Sequence, residues 1–423
     1  MGGTGERELL AKGAASHNER SGNAVGAVVL GRLVEPIAAG SPKEVTRYVP
    51  VPIQCMLWGK AAGRCEFAGC NEPLWKSRVT QEQVNIGQKA HIYAFSSGGA
   101  RSHSAADLGN LQDLSNLMLV CHACHRKIDK EPDGGRYTVS LLQQMKKAHE
   151  ERIEVVAAIA PQKSSHVLLY GANIDNHSSP LNYVEAAAAL FPDRYPAADR
   201  AIELSVHNSS FRERDAEFWH NEAVELRRKF DRLVRVQAAE GQIQHLSVFA
   251  LAPQPLLILL GSLLGDIVAC DVYQRHREPT TWRWPAGQEV QGFRLRRPHH
   301  VDGPAALVFE VSGSVSAERV QRVLGERACI WSISVPEPHN DVVKTREQTA
   351  AFRLLVRTAL EQIKAAHGHG ETLQIFPAMP VSLAVELGRV RMPKADMPWV
   401  VYDEVNSQGG FVQAVSIPDG GRE

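Results

Sequence analysis

The chain has 423 residues, too many for one ordinary domain, so two or three are expected. Its 47 Lys and Arg balance 47 Asp and Glu, which excludes a molecule that is polycationic as a whole. A hydrophobic fraction of 44% and a charged fraction of 22% are those of a globular chain. No run of about 18 uncharged apolar residues and no secretory signal is visible.

In chain order, residues 1–45 are rich in Gly, Ala and Ser and are expected to form a flexible leader. Firmer structure is predicted from Pro50 and Pro52. Cys65 and Cys70 follow within residues 53–75, where Gly63 and Gly69 let the backbone turn around a metal. A strand is predicted within Val84–Phe95, ending near His91. Ser96–Ala100 reads as a loop and Leu114–Val120 as a second strand. A helix is predicted to begin near Cys121 to Cys124, with His125 in its first turn. Ser140–Ala160 is a further helix, with Leu141, Met145, Ala148 and Arg152 on one face. Residues 161–168 read as a linker.

Cys121 and Cys124 stand two residues apart, a spacing that brings two thiolates to one tetrahedral zinc. With Cys65 and Cys70 they would close a structural Zn²⁺ site. The alternatives are small buried thiols or a redox pair. Cys55, Cys270 and Cys329 are scattered singles. This usage suits a reducing cytoplasm better than a disulfide framework. Residues 41–152 carry 15 Lys and Arg against 11 Asp and Glu, a mild positive bias. Arg101, Arg126, Lys127 and Lys130 are candidates for holding DNA phosphates, or members of a solvated face.

The stretch from Asn116 to Asp129, with its two Cys and His125, resembles the HNH nuclease family over about residues 60–152. The resemblance implies an α+β, ββα-metal fold with zinc outside the active site. It implies His91 as general base, Asn116 as its orienting partner, and His125 as ligand to a catalytic Mg²⁺ or Mn²⁺. A zinc ligand replacing one Cys is the rival role for His125. Many members carry a second metal ligand just before the base, where this chain has Ala90. Gln88, His103 and Asp107 are the substitutes considered.

From His166 the pattern alternates between strands and helices, as in an α/β domain. Val167–Tyr170, Ile202–Val206 and Leu246–Ala250 read as strands, and Ala216–Val236 as a long helix. Phe249, Pro253 and Gly261 recur at Phe376, Pro380 and Gly388, all offset by 127 residues. Tyr273 recurs at Tyr402, and Ile330–Val335 answers Ile202–Val206. These coincidences point to an internal duplication. Two strand–turn–helix units facing one another would form a cleft of near two-fold symmetry, suited to a ligand that is itself nearly two-fold.

Residues 169–423 resemble the SAVED domain, a fusion of two CARF-like, Rossmann-like units, here about 169–300 and 301–423. An HNH domain over 46–160 ahead of it resembles the nuclease effectors of CBASS, a bacterial anti-phage system. The resemblance implies a cyclic oligonucleotide activator, a cyclic dinucleotide such as cGAMP. It also implies homo-oligomerisation from dimer to tetramer, and cleavage of double-stranded DNA. A ligand of this kind needs cations for its phosphates and flat side chains for its bases. His207, Asn208, Phe211 and Arg212 in one half are the candidates, with His339, Asn340 and Lys344 in the other. Trp282 and Trp284 are candidates for stacking on a base, and Pro253 and Pro380 for shaping the pocket floor. No base-reading element is visible, so little sequence preference is expected. The competing readings are a ligand-responsive zinc DNA-binding protein that does not cut, and a restriction enzyme reading modified DNA. The absence of a basic stripe in the duplicated region speaks against the last.

Overall fold

A computed structural model of the chain describes residues 48–94, 101, 111–130, 135–172, 181–205, 217–287, 290–405 and 410–418. The expected leader lies outside the described residues. So do His103, Asp107, His207, Asn208, Phe211 and Arg212.

The first described element is a helix the sequence pattern did not predict, α1 (Val51–Lys60), with Pro at its first turn. Its apolar residues are spread around the helix, so no one-sided period marks it; Leu57 is the one that is fully buried. Beyond it, Gly63 and Gly69 adopt φ of 62° and 79°, the left-handed turns the sequence suggested. β1 (Gly87–His91) then pairs antiparallel with β2 (Leu117–Cys121), His91 opposite Leu117 and Gly87 opposite Cys121. The second strand is shorter than predicted, because Leu114–Asn116 form a 3₁₀ turn capped by Asp113. α2 (His122–Ile128) follows β2 without a loop, so the expected strand–strand–helix succession is present.

α3 (Val139–Ala157) is capped by Thr138 and covers this unit. The predicted apolar face is displaced: Leu142, Lys146 and His149 are the residues buried, not Leu141 or Arg152. His149 turns inward because its Nε2 lies 3.1 Å from the Ala61 carbonyl oxygen at the end of α1. Lys146 does so because it reaches the buried carboxylate of Glu66 at 3.8 Å. Buried polar groups with fixed partners outweigh the simple apolar period here.

The rest of the chain is built on two sheets. β3 (Ser164–Gly171) takes β6 (His245–Leu251) on one side, and β7 (Ala269–Val272) extends the sheet beyond β6. β4 (Tyr195–Pro196) and β5 (Ile202–Glu203) pair β3 in short parallel stretches. β3 begins at Ser164, so the predicted linker is cut to the few residues before it. α4 (Tyr183–Ala189) lies between β3 and β4 in sequence. α5 (Phe218–Phe230) runs through a π turn at Asp231–Arg235 into α6 (Val236–Ala239), so the predicted long helix forms with an irregular end. α7 (Gln254–Leu264) connects β6 to β7. A small hairpin of β8 (His276–Arg277) and β9 (Thr280–Thr281) follows.

The second sheet contains β10 (Arg294–Arg296), β11 (Ala305–Glu310), β12 (Cys329–Ser334), β13 (Leu373–Phe376), β14 (Trp399–Val405) and β15 (Gly410–Ile417). Its order is β10-β12-β11-β13-β14-β15, with the four inner strands parallel and the two outer ones antiparallel. α8 (Ala317–Leu324), α9 (Arg346–His367) and α10 (Val381–Val390) link the parallel strands. The strands β5-β3-β6-β7 and β12-β11-β13-β14 follow one another in the same order, so the duplication read from the sequence is a duplication of fold.

The two halves meet where α7 crosses α10. A Cβ added to Gly261 would lie 2.0 Å from the Val385 carbonyl oxygen, and one added to Gly388 would lie 2.0 Å from that of Ile258. Each recurring glycine thus admits the backbone of the other helix, and no larger residue fits. Around the crossing, Leu257 and Leu260 join Leu383 and Leu387 in one core continuous with both sheets. The repeated aromatic residues also match. Phe249 stacks on Tyr273 at 4.4 Å and Phe376 on Tyr402 at 4.5 Å, while Trp282 and Phe411 meet these stacks edge-on. Trp282 is therefore the counterpart of Phe411 in a packed core.

Candidate functional site

The N-terminal unit gathers its four predicted cysteines. The Sγ atoms of Cys65, Cys70, Cys121 and Cys124 all lie within 4.8 Å of one another, and those of Cys70 and Cys121 are 3.9 Å apart. A tetrahedral zinc with bonds of about 2.3 Å separates its sulfurs by about 3.8 Å, so the donor set fits that ion. The Cys121 amide donates to Cys65 Sγ (3.3 Å) and the Cys124 amide to Cys121 Sγ (3.4 Å), polarity suited to thiolates. Burial pushes the Cys65 thiol up to about 12, and that of Cys124 is raised by the same cause. Loading the cluster must therefore release protons.

Asn116 is buried, and its amide works through the backbone. Its Oδ1 accepts from the Tyr93 amide at 2.8 Å and its Nδ2 donates to the Leu111 carbonyl at 3.0 Å. Its own carbonyl accepts from Ile92. Asn116 thus fixes the chain just past β1, where His91 is half-buried at the strand end.

His125 is the fourth residue of the seven-residue α2, its side chain 30% exposed, with Nε2 3.7 Å from Asp129 Oδ2 one turn on. The same carboxylate accepts from Arg101 through Oδ1 at 3.1 Å. Arg101 also donates to the Ile92 carbonyl at 2.8 Å, to that of Ile128 at 3.0 Å, and to that of His91 at 3.5 Å. Its side chain is 4% exposed. Arg101 is therefore an internal brace tying the strand end that carries His91 to the helix that carries His125; it is not a surface contact for DNA phosphates. Arg126, Lys127 and Lys130 are exposed as expected. Ala90 is buried and points into the core, so a metal ligand would not be productive at that position. Gln88 is exposed. The pattern reading overlooked Asp129; its position four residues after His125 on a helix was the available signal.

In the duplicated region, Trp282 is 2% exposed inside the Phe249 cluster and is not available to stack on a base. Trp284 is half-buried against His276, ring centroids 5.6 Å apart. His339 and Asn340 are exposed in the loop after β12, where the His339 amide donates to the Val311 carbonyl. Lys344 bonds Asp341 at 2.5 Å, and Asp341 also lies 3.3 Å from Nδ1 of the buried His276. Pro253 and Pro380 precede the first residues of α7 and α10. There Gln254 accepts from the Met379 amide and Gln274 accepts from Ser382, joining the strand ends of the two halves. The sequence reading missed these glutamines, whose pairing crosses more than a hundred residues.

Among the described residues, no helix is long and apolar enough to cross a membrane. Residues 226–417 match the family described as the SMODS-associated and fused to various effectors sensor domain, SAVED. No curated protein matches the chain. Among solved structures, the chain is similar to the Acinetobacter baumannii Cap4 SAVED/CARF-domain containing receptor with the cyclic trinucleotide 2'3'3'-cAAA. Identity is 10% and the TM-score 0.41, over 73% of this chain and 64% of that one. The same receptor with 3'3'3'-cAAA gives 10% identity and a TM-score of 0.40, over 66% and 59%. The Moraxella osloensis Cap4 receptor gives 11% and 0.38, over 73% and 66%. The chain thus spans roughly three fifths to two thirds of the length of these receptors. The C-terminal part of the chain, residues 226–417, is a SAVED domain.

Proposed function

We propose that the chain is an antiviral effector of the CBASS type, in which a cyclic oligonucleotide bound by the SAVED domain switches on a metal-dependent HNH endonuclease. The observation that carries this reading is a pairing within one chain. A four-cysteine strand–strand–helix unit, with His91 and His125 braced by Arg101 and Asp129, precedes a SAVED domain. A nuclease that is always active would endanger its host, and a ligand-gated sensor supplies the control.

In the nuclease, His91 would take the proton from the attacking water at its ring nitrogen. Asn116 positions the backbone that carries His91. His125 would hold the divalent ion, with Asp129 the nearby carboxylate. When bound, such an ion stabilises charge on the phosphate and leaving oxygen. Arg126 and Lys127 on α2 and Lys130 just beyond it are exposed and would hold double-stranded DNA, without base reading. The four-cysteine zinc is structural. The activator is a cyclic di- or trinucleotide. His339, Asn340 and Lys344 are the described residues offered to it, and ligand-driven oligomerisation pairs the nuclease units.

A panel of cyclic di- and trinucleotides in a plasmid digestion with Mg²⁺ or Mn²⁺ tests this. One member should raise cutting strongly, and His91→Ala should bind that member and fail to cut. Equal cutting with and without every ligand would remove the gating. The second reading, a ligand-responsive zinc protein that binds DNA without cutting, is favoured by the inward-facing Ala90. Nicking that requires a divalent metal and disappears in His91→Ala decides against it.

A further inference from the structure

Cys329, a single cysteine in the sequence, does not stand alone in the fold. It opens β12, opposite Ala305 at the start of β11. Beside it runs the segment that joins β10 to β11, which carries His300 and Asp302. His300 Nδ1 lies 3.4 Å from Cys329 Sγ and 3.1 Å from Asp302 Oδ1. Each of the three residues offers one ligand atom, and these atoms lie within 4.8 Å of one another. Around a tetrahedral zinc, bonds of about 2.3 Å to sulfur and about 2.0–2.2 Å to nitrogen and oxygen set S···N at about 3.6 Å and N···O at about 3.4 Å. The observed spacings are within a few tenths of an ångström of both.

Hydrogen bonding alone accounts poorly for this arrangement. Nδ1 carries at most one hydrogen, yet both Sγ and Oδ1 face it. A metal ion would use all three lone pairs at once. The surroundings fit that use. The Gly303 amide donates to Cys329 Sγ at 3.2 Å, a polarity suited to a thiolate. As a thiol, Cys329 would instead donate to the Arg327 carbonyl across a longer 3.6 Å. Arg327 donates to Asp302 Oδ2 at 2.6 Å and to the Asp302 carbonyl at 3.0 Å, which leaves Oδ1 turned to His300. A Cβ added to Gly303 would lie 1.8 Å from the Arg327 carbonyl oxygen, so only glycine lets this segment close on the start of β12. Cys329 is buried, while the side chains of His300 and Asp302 are 50% and 66% exposed, which gives an ion a route in from solvent. The cluster stands at the amino ends of β11 and β12, whereas His339, Asn340 and Lys344 follow the carboxyl end of β12. It is therefore at the opposite end of the sheet from the residues offered to the activator.

We propose that His300 Nδ1, Asp302 Oδ1 and Cys329 Sγ bind a second zinc ion, with water at the fourth position. Thiolate and carboxylate together balance its two charges. The ion would tie the segment between β10 and β11 to the first residue of β12. With one thiolate in place of four, this site is weaker than the cysteine cluster and fills after it. The inference rests on neither the nuclease reading nor the identity of the cyclic ligand.

Equilibrium dialysis of the full chain against zinc chloride, with bound metal counted by elemental analysis, tests it. Wild type should take up one zinc ion more than His300→Ala, and one more than Cys329→Ser. That difference is the same whether or not the cysteine cluster is filled. Cobalt chloride added to the chain already holding one zinc should give a thiolate-to-cobalt charge-transfer band that is absent from Cys329→Ser. Equal zinc uptake by wild type and His300→Ala overturns the proposal and leaves His300 and Asp302 as a surface pair. A cobalt band that survives in Cys329→Ser overturns it too. Should Cys329→Ser fail to fold, His300→Ala, which removes a half-exposed ring, still decides.

Discussion

The two parts of the molecule are held together differently. Among the described residues, the unit before α3 ends has a core of fifteen buried residues, three of them cysteines of the sulfur cluster. The duplicated region has, among its described residues, a main core of forty-eight, continuous across both sheets and the α7–α10 crossing. A small core offsets less of the entropy of ordering its chain, so a metal held by the four sulfurs would stabilise the first unit most. The second depends on close helix packing. This contrast sets a small unit with a sulfur cluster against a large packed one, and it can be broken at either end.

The largest effect is expected from removing the metal. Strong chelation or Cys121→Ser should forfeit about 10 kcal/mol or more of linked folding energy in the first unit. Elemental analysis should lose one zinc per chain, and limited proteolysis should cut residues 48–157 while 164–417 resists. Loss of protection throughout would mean that the two parts do not stand independently.

Next comes the helix crossing. Gly388→Ala puts a methyl 2.0 Å from the Ile258 carbonyl oxygen, a backbone atom with no side chain to swing away. Overpacking of this kind costs about 3 kcal/mol or more. Thermal unfolding should show the sensor transition fall while zinc content stays. An unchanged transition would show that the crossing can open without penalty.

A smaller effect concerns acid. His245 is buried beside Ser165, and burial, reinforced by Arg194, pulls its pKa down to about 4. The neutral ring is the folded form, so stability is complete above the unfolded value near 6.5 and falls as pH drops from there toward 4. At pH 5 the loss is about 2 kcal/mol. His245→Gln should flatten that part of the stability profile measured by denaturant unfolding. The slope persisting in the variant would assign it to another group.

The smallest stability change is expected at the chemistry itself. His91→Ala should lower stability by only about 1 kcal/mol while abolishing cleavage. Loss of folding in that variant would make His91 a structural residue.

Much of this organisation was legible in the residues. The spacing of Cys65, Cys70, Cys121 and Cys124 announced the sulfur cluster, because metal ligation tolerates few spacings. The 127-residue offset of Phe249, Pro253 and Gly261 announced the duplication, because a stacked ring, a helix start and a helix crossing each restrict residue type. Local pattern failed where a distant partner decided the outcome. Arg101 looked like a surface cation until three carbonyls and Asp129 enclosed it. Trp282 looked available for stacking until its place against Phe249 proved to be that of a core residue. Lys146 and His149 turn inward on α3 because Glu66 and the Ala61 carbonyl await them, which no period of three or four residues encodes.

The sequence by itself thus determined most of the element types, the gathering of four cysteines and the repeat, since these rest on backbone propensity and on chemistry between residues of fixed spacing. Tertiary structure alone decided which cations are braces and which aromatic rings are core. Those outcomes depend on burial and on pairing across a hundred residues or more, and both exist only once the chain has closed on itself.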